Sequence, residues 1–219
     1  MLPPSFHRTL LCALLCTAGP LAASPKFWAA DIDAFTQADA VHPPPRDAVL
    51  FIGSSSIVKW TTLAADFPGV PVINRGFGGS ELADSVFYAD RIAIPYHPRI
   101  VVLYAGDNDL IFGKTPETVL ADFQAFAAKI HAGLPAAKLI FISIKPSPSR
   151  WKIHEQMVRA NALIAAECAK DKRNIFLDVY TPMLDSKGQP RPELYVEDLL
   201  HMKPAGYAIW TPLLAPLLK

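Results

Sequence analysis

Residues 51–60 read "FIGSSSIVKW", beginning at Phe51. An apolar run stops at Gly53, three serines follow, and an amphipathic stretch begins. This is how a chain turns from a buried strand into a helix. Adjacent hydroxyls at such a junction can cap the helix, cradle a phosphate or supply a nucleophile. The stretch alone leaves all three readings open.

The run entering this junction, "AVLFIG" from Ala48, is one of five. The others are "VPVIN" from Val70, "RIVVLYAG" from Arg99, "KLIFISI" from Lys138 and "NIFLDV" from Asn174. They are rich in Val, Ile, Leu and Phe and mostly lack period-two alternation, as expected of strands buried on both faces of a parallel sheet. Helical patterns separate them. The clearest covers Pro116 to Ala132, with Val119, Leu120, Phe123, Phe126, Ala127 and Ile130 on one face. Thr115 is placed to cap it, Pro116 suits its first turn and Gly133 its end. A second pattern runs from about Arg150 to Lys170, and a third from about Pro204. Strand–helix alternation predicts a three-layer α/β/α domain. "VHPPPRD", Val41 to Asp47, is read as a lead-in loop because three consecutive prolines suit neither helix nor central strand.

Composition bounds the possibilities. The 219 residues are 51% hydrophobic with a formal net charge of +1, ample for one sizeable core. The near-neutral balance gives no electrostatic footprint for nucleic acid, and no polybasic run suggests a membrane patch. "MLPPSFHRTLLCALLCTAGPLAAS" has Arg8, an apolar stretch from Leu10 to Leu21, and small residues at Ala22, Ala23 and Ser24. That layout predicts a signal peptide over residues 1–23 and export to a periplasm or the exterior, without a stable membrane anchor. Beyond it Cys168 is the one remaining cysteine, so no intramolecular disulfide is expected. Cys168 falls on a stripe with Ile153, Met157, Ala160 and Ile164, which predicts a packing role.

In a sheet of this kind, sites form beyond the carboxyl ends of the strands. The first strand leads to Gly53-Ser54-Ser55-Ser56. The second leads to "NRGFGGS", where three glycines within four positions let the backbone approach a ligand closely. The N–H of Gly79, just before a helix starting near Glu81, suits an anion or a developing oxyanion. The third leads to "AGDND", in which Asn108 offers an amide donor. Near the C-terminus "VEDLLHMKPAGYAIW" carries Asp198 and His201, spaced so that the carboxylate can hold the imidazole in one tautomer. Together these supply a hydroxyl, a backbone donor, an amide donor and an oriented base, as acyl transfer requires.

The blocks "FIGSSSI", "NRGFGGS", "AGDND" and "DLLH" resemble, in order, those of the SGNH hydrolases, also called GDSL esterases. They span almost all of the chain beyond the signal segment. The resemblance implies a flavodoxin-like sheet of about five parallel strands over residues 47–219, preceded by a lead-in at 24–46. It implies an esterase without metal or cofactor: Ser55 as nucleophile, Asp198 and His201 as acid and base, and an oxyanion hole of Ser55 N–H, Gly79 N–H and the Asn108 side chain. Three positions depart from the family pattern. Ser54 stands where Gly-Asp-Ser has its aspartate, as in a GSSS subgroup. Block two ends in Ser80 rather than Asp, and Leu199 replaces the glycine of Asp-Gly-Leu-His.

Arg75, Phe77, Phe112, Lys145, Arg150 and Trp151 lie on loops that could line the crevice mouth as substrate contacts. Ser54 is expected to brace the serine loop, and Ser56 to cap or pack the following helix. The expected substrate is a small-molecule or glycan ester, the expected state a monomer. Two rivals are a flavodoxin-like module binding FMN or another phosphate ligand, and a catalytically silent relative that binds glycans. A phosphate cradle does not need the Asp198/His201 pair, which argues against the first.

Overall fold

The computed structural model describes residues 27–219. The signal segment proposed at 1–23 lies outside the described residues. Helix α1, Ala29–Val41, comes first, then β1 at Val49–Gly53, α2 at Ser55–Val58, α3 at Leu63–Asp66 and β2 at Val72–Gly76. Next come α4 at Leu82–Ile92, β3 at Ile100–Tyr104, α5 at Asp107–Ile111 and α6 at Pro116–Gly133. The chain continues with β4 at Lys138–Ile142, α7 at His154–Cys168, β5 at Asn174–Leu177 and α8 at Pro204–Leu214.

The five strands form one sheet, all neighbours parallel, in the order β2-β1-β3-β4-β5. Strand alternation explains why the runs look uniformly apolar. Leu50, Ile52, Val101, Leu103, Leu139 and Phe141 point into a core shared with α4, α6 and α7. Val49, Phe51, Ile100, Val102, Ile140 and Ile142 point into a second core, with Trp60, Tyr207 and Trp210. Both faces are covered, giving the expected three layers. The order reverses at β1 and β3, the switch point where sites form.

Local expectations mostly hold. The Thr115 hydroxyl accepts from Thr118 N at 3.2 Å and Pro116 occupies the first turn of α6. Cys168 is buried on the predicted stripe, and burial pushes its thiol up to about 12. Gly133 does something other than end a helix in left-handed geometry. It is the last residue of α6, and a Cβ there would lie 2.8 Å from Ile94 Cδ1, so it permits close packing. The pattern read as one helix from Arg150 to Lys170 is divided: a 3-10 turn at Pro148–Ile153, non-helical at Arg150, precedes α7. The lead-in is largely helical, and Val41 ends α1 rather than opening the proline loop. Helix α1 packs through buried Ile32 and half-buried Phe35, with half-buried Trp28 just before it. Among the described residues no helix is long and apolar enough to cross a membrane.

Candidate active site

Ser55 follows the β1 turn as the first residue of α2. Gly53 makes the turn possible: its φ is +135°, a backbone region that side chains rarely enter. Ser54 N then donates to Tyr104 O at 3.0 Å, fastening the turn to β3. Ser54 is buried and braces the loop through its backbone; its side chain makes no capping bond. Ser56 is also buried, and its carbonyl accepts from Tyr207 Oη at 2.9 Å. That bond ties α2 to α8, the helix directly after the His201 loop.

The His201 loop is a closed turn. Val196 N donates to His201 O at 2.8 Å and Leu199 N to Val196 O at 2.9 Å. Leu199, at its apex, has φ +55°, which explains why the family pattern favours glycine there. A branched Cβ suits this geometry worst. Melting temperatures should therefore rank Leu199→Gly at or above the native chain and Leu199→Val below it by about 1 kcal/mol or more of stability. A Leu199→Val protein as stable as the native chain would contradict this.

Across 146 residues of sequence, His201 Nε2 lies 2.9 Å from Ser55 Oγ. His201 Nδ1 lies 2.5 Å from Asp198 Oδ2. Asp198 Oδ1 also accepts from Leu200 N at 2.9 Å and His201 N at 2.8 Å. Burial works to raise the Asp198 pKa, but hydrogen bonds from the His201 ring and these two N–H groups outweigh it and hold it at about 2. An ionised carboxylate only accepts, so His201 carries its hydrogen on Nδ1. Nε2 is then left to accept the Ser55 hydroxyl proton.

The glycine loop sits beside the serine: a Cβ on Gly78 would lie 3.9 Å from Ser55 Cβ. Gly79 has φ +79° and lies under Trp28, whose ring would be 3.3 Å from a Cβ there. Among the described residues, neither Ser55 N nor Gly79 N donates to a protein acceptor. Asn108 on α5 is buried, and its Nδ2 donates to Ser80 O at 2.9 Å. One of its two amide hydrogens remains uncommitted. Next to it, both Asp109 carboxylate oxygens accept from Leu82 N at 3.1 Å, pinning the start of α4 to α5. Burial pushes Asp109 up to about 6, against the pull of Lys114. These bonds hold Gly79 and Asn108 in one unit, with the order of blocks two and three converted into adjacency.

Of the residues expected at the crevice mouth, Phe112 is exposed and Trp151 is half-buried, stacked on His154 at 4.3 Å. Four are placed otherwise. Arg75 is buried, paired with Asp39 of α1 at 2.5 Å and flanked by the Phe35 and Tyr96 rings. Phe77 is 1% exposed and packs edge-on against Trp28 and Tyr88. Lys145 is 1% exposed and faces Asp107 and the Tyr104 hydroxyl. Arg150 turns inward to Asp107 and Asn108. Sequence reasoning passed over Trp28, Asp39, Asp107 and Tyr207. The signal available for Asp107 was a carboxylate beside Asn108 in a buried strand's exit. Among the described residues, no three His, Cys, Asp or Glu side chains are grouped to hold a metal.

No curated protein matches the chain. Several solved structures share its fold. One, provisionally named for platelet activating factor, from Streptococcus pneumonia, is 20% identical with a TM-score of 0.77, covering 87% of this chain and 92% of that one. A GDSL-like lipase from Bacteroides thetaiotaomicron is 22% identical, TM-score 0.72, covering 86% and 97%. A variant of an acetyl-xylooligosaccharide esterase from Geobacillus Stearmophilus is 15% identical, TM-score 0.61, covering 80% and 95%. The sequence pattern of the GDSL-like Lipase/Acylhydrolase family matches residues 51–209. With most of its length so matched, the chain belongs to that family and is a carboxylic ester hydrolase.

Proposed function

We propose that the protein is an exported serine esterase that works through an acyl-enzyme on Ser55. The observation that carries this reading is the unbroken hydrogen-bond chain Ser55 Oγ–His201 Nε2 and His201 Nδ1–Asp198 Oδ2, at 2.9 and 2.5 Å. His201 takes the Ser55 proton as Oγ attacks the ester carbonyl carbon. The carbonyl oxygen becomes an oxyanion held by Ser55 N–H, Gly79 N–H and the free amide hydrogen of Asn108. Collapse of the tetrahedral intermediate breaks the bond to the alcohol, which leaves with the proton from His201. Water, deprotonated by the same imidazole, then attacks the acyl-enzyme, and a second collapse returns the proton to Ser55 and frees the acid. Asp198 stays ionised and stabilises the imidazolium.

The substrate class is a short-chain or acetyl ester, including acetyl groups on glycans. The esterase neighbour that acts on acetyl-xylooligosaccharides supports that choice, and Phe112 and Trp151 remain as candidate contacts beside the crevice. The test is incubation of the purified protein with a fluorophosphonate probe and, separately, with p-nitrophenyl acetate. One adduct on the Ser55 peptide together with acetate release is expected; turnover without labelling of that peptide would overturn the assignment.

Export rests on the Arg8, apolar and small-residue pattern of residues 1–23. Protein recovered from the periplasmic or culture fraction of a bacterial host should begin at or near Ser24 by N-terminal sequencing. Recovery only in the cytoplasm with an intact leader would refute it.

A further inference from the structure

We propose that Arg150 is a positioning residue of the oxyanion hole: its guanidinium fixes which end of the Asn108 amide faces Ser55 and polarises that amide. This rests on the reading of Asn108 as an oxyanion donor. An asparagine presents an acceptor at one end and two donors at the other, and a half-turn exchanges them. Donor stabilisation of an oxyanion therefore requires that the turn be forbidden. Asn108 Oδ1 accepts from Arg150 Nη2 at 2.9 Å, while Nδ2 donates to Ser80 O at 2.9 Å. Reversal would set NH₂ against a guanidinium and oxygen against a carbonyl at once. The Ser80 contact by itself is a weaker guarantee, because Ser80 belongs to the same glycine-rich loop that it would have to steady.

The guanidinium is itself fixed. Its Nη1 lies 3.1 Å from Asp107 Oδ2, with side-chain exposures of 13% and 7%. The same carboxylate oxygen lies 3.4 Å from Lys145 Nζ, which donates to Tyr104 Oη at 3.2 Å. Burial opposes ionisation of Asp107, yet the two cations outweigh it and hold its pKa below the usual value. Two cations thus face one carboxylate behind Asn108. Burial pulls the Lys145 pKa down, so it is the Arg150 guanidinium that negative charge developing on the substrate oxygen meets one amide away, in a site with little water to screen it. Charge on Oδ1 also draws electron density from the amide nitrogen, which strengthens its N–H as a donor. The backbone secures the same loop to the base: Ser149 N donates to Leu199 O at 3.2 Å.

The experiment is a double-mutant cycle on the mature protein with p-nitrophenyl acetate, using Asn108→Ala, Arg150→Ala and the double variant, each first confirmed as folded by circular dichroism. Asn108→Ala should lower kcat by roughly 10² to 10³. Arg150→Ala should lower kcat by roughly 10- to 100-fold with KM little changed, as for a misplaced catalytic group. The double variant should match Asn108→Ala within about threefold, because Arg150 acts only through the amide. Guanidinium added to Arg150→Ala should restore part of kcat and do nothing for the double variant. Arg150→Lys keeps a cation for Asp107 but cannot serve Asp107 and Asn108 from two nitrogens, and it should lose kcat as well; it replaces Arg150→Ala in the cycle if that protein does not fold. Multiplicative losses, or native kcat in Arg150→Lys, would overturn the Arg150 assignment alone. Native kcat in Asn108→Ala would instead remove the oxyanion reading, and this proposal with it.

Discussion

Ser55→Ala is expected to lower kcat for p-nitrophenyl acetate by about 10⁴-fold or more, with His201→Ala falling as far. The two losses should not multiply, since the serine and the imidazole act as one unit. Oγ lies 2.9 Å from His201 Nε2, and among the described residues neither neighbouring serine hydroxyl makes such a contact. Ser54 and Ser56 are both buried, and among the described residues their hydrogen bonds run through backbone atoms. Replacing either by alanine should change kcat by no more than about fivefold, the size of one modest hydrogen bond. The Ser55→Ala protein should still fold, because a half-exposed hydroxyl adds little to stability. A Ser54→Ala protein that loses turnover while Ser55→Ala retains it would move the nucleophile by one position.

The sheet was legible because its strands are buried on both faces. Such strands appear as short unbroken apolar runs; four of the five observed strands fall inside the runs read from the sequence, and β2 starts inside its run and continues two residues past it, through Arg75 and Gly76. The candidate site residues were assigned from the family resemblance, and their positions have a related reason: Ser55, Gly79 and Asn108 follow strand ends, where a parallel sheet gathers its loops. His201 could be found because its orienting carboxylate lies three residues away. What stayed hidden depends on partners distant in sequence. Arg75 looks like a free cation on a glycine loop, yet its carboxylate, Asp39, lies 36 residues earlier. Lys145 looks like a rim residue until Asp107, 38 residues earlier, is brought beneath it. Burying a lysine or arginine is costly unless a carboxylate meets it, and sequence spacing carries no record of such a meeting. The lead-in helix was missed because only Ile32 is fully buried along it. Its alanines and aspartates give a faint apolar stripe, and Phe35 meets the Arg75 guanidinium as well as the core. The departures from the family pattern acquire reasons too. Leu199 tolerates a left-handed backbone in a closed turn, and Ser54 braces its loop through an N–H that any residue but proline could supply.

Gly53→Ala is the substitution expected to do most damage without touching a reacting atom. A methyl at that position would lie 1.9 Å from Tyr104 O and 2.7 Å from Tyr104 C, both backbone atoms at the core of the sheet. No flexible side chain can yield. Tyr104 O is also the acceptor for Ser54 N, so relief of the clash must loosen the bond that turns β1 into α2. The φ of +135° adds backbone strain of its own. Strain and overpacking together should cost about 3 kcal/mol or more. Gly69→Ala separates the two effects. Gly69 has φ +79° but nothing within 4 Å of an added Cβ, so it should lose only about 1–2 kcal/mol and keep its turnover. Urea unfolding of both variants reads stability, and p-nitrophenyl acetate reads whether Ser55 still meets His201. Gly53→Ala should lose turnover even at temperatures where it remains folded, because the residue two positions on carries the nucleophile and a displacement of about 1 Å suffices to cost 10²-fold. Native turnover in Gly53→Ala would mean that the serine turn is not held by the contact between β1 and β3, and the account of how the sheet positions Ser55 would have to be abandoned.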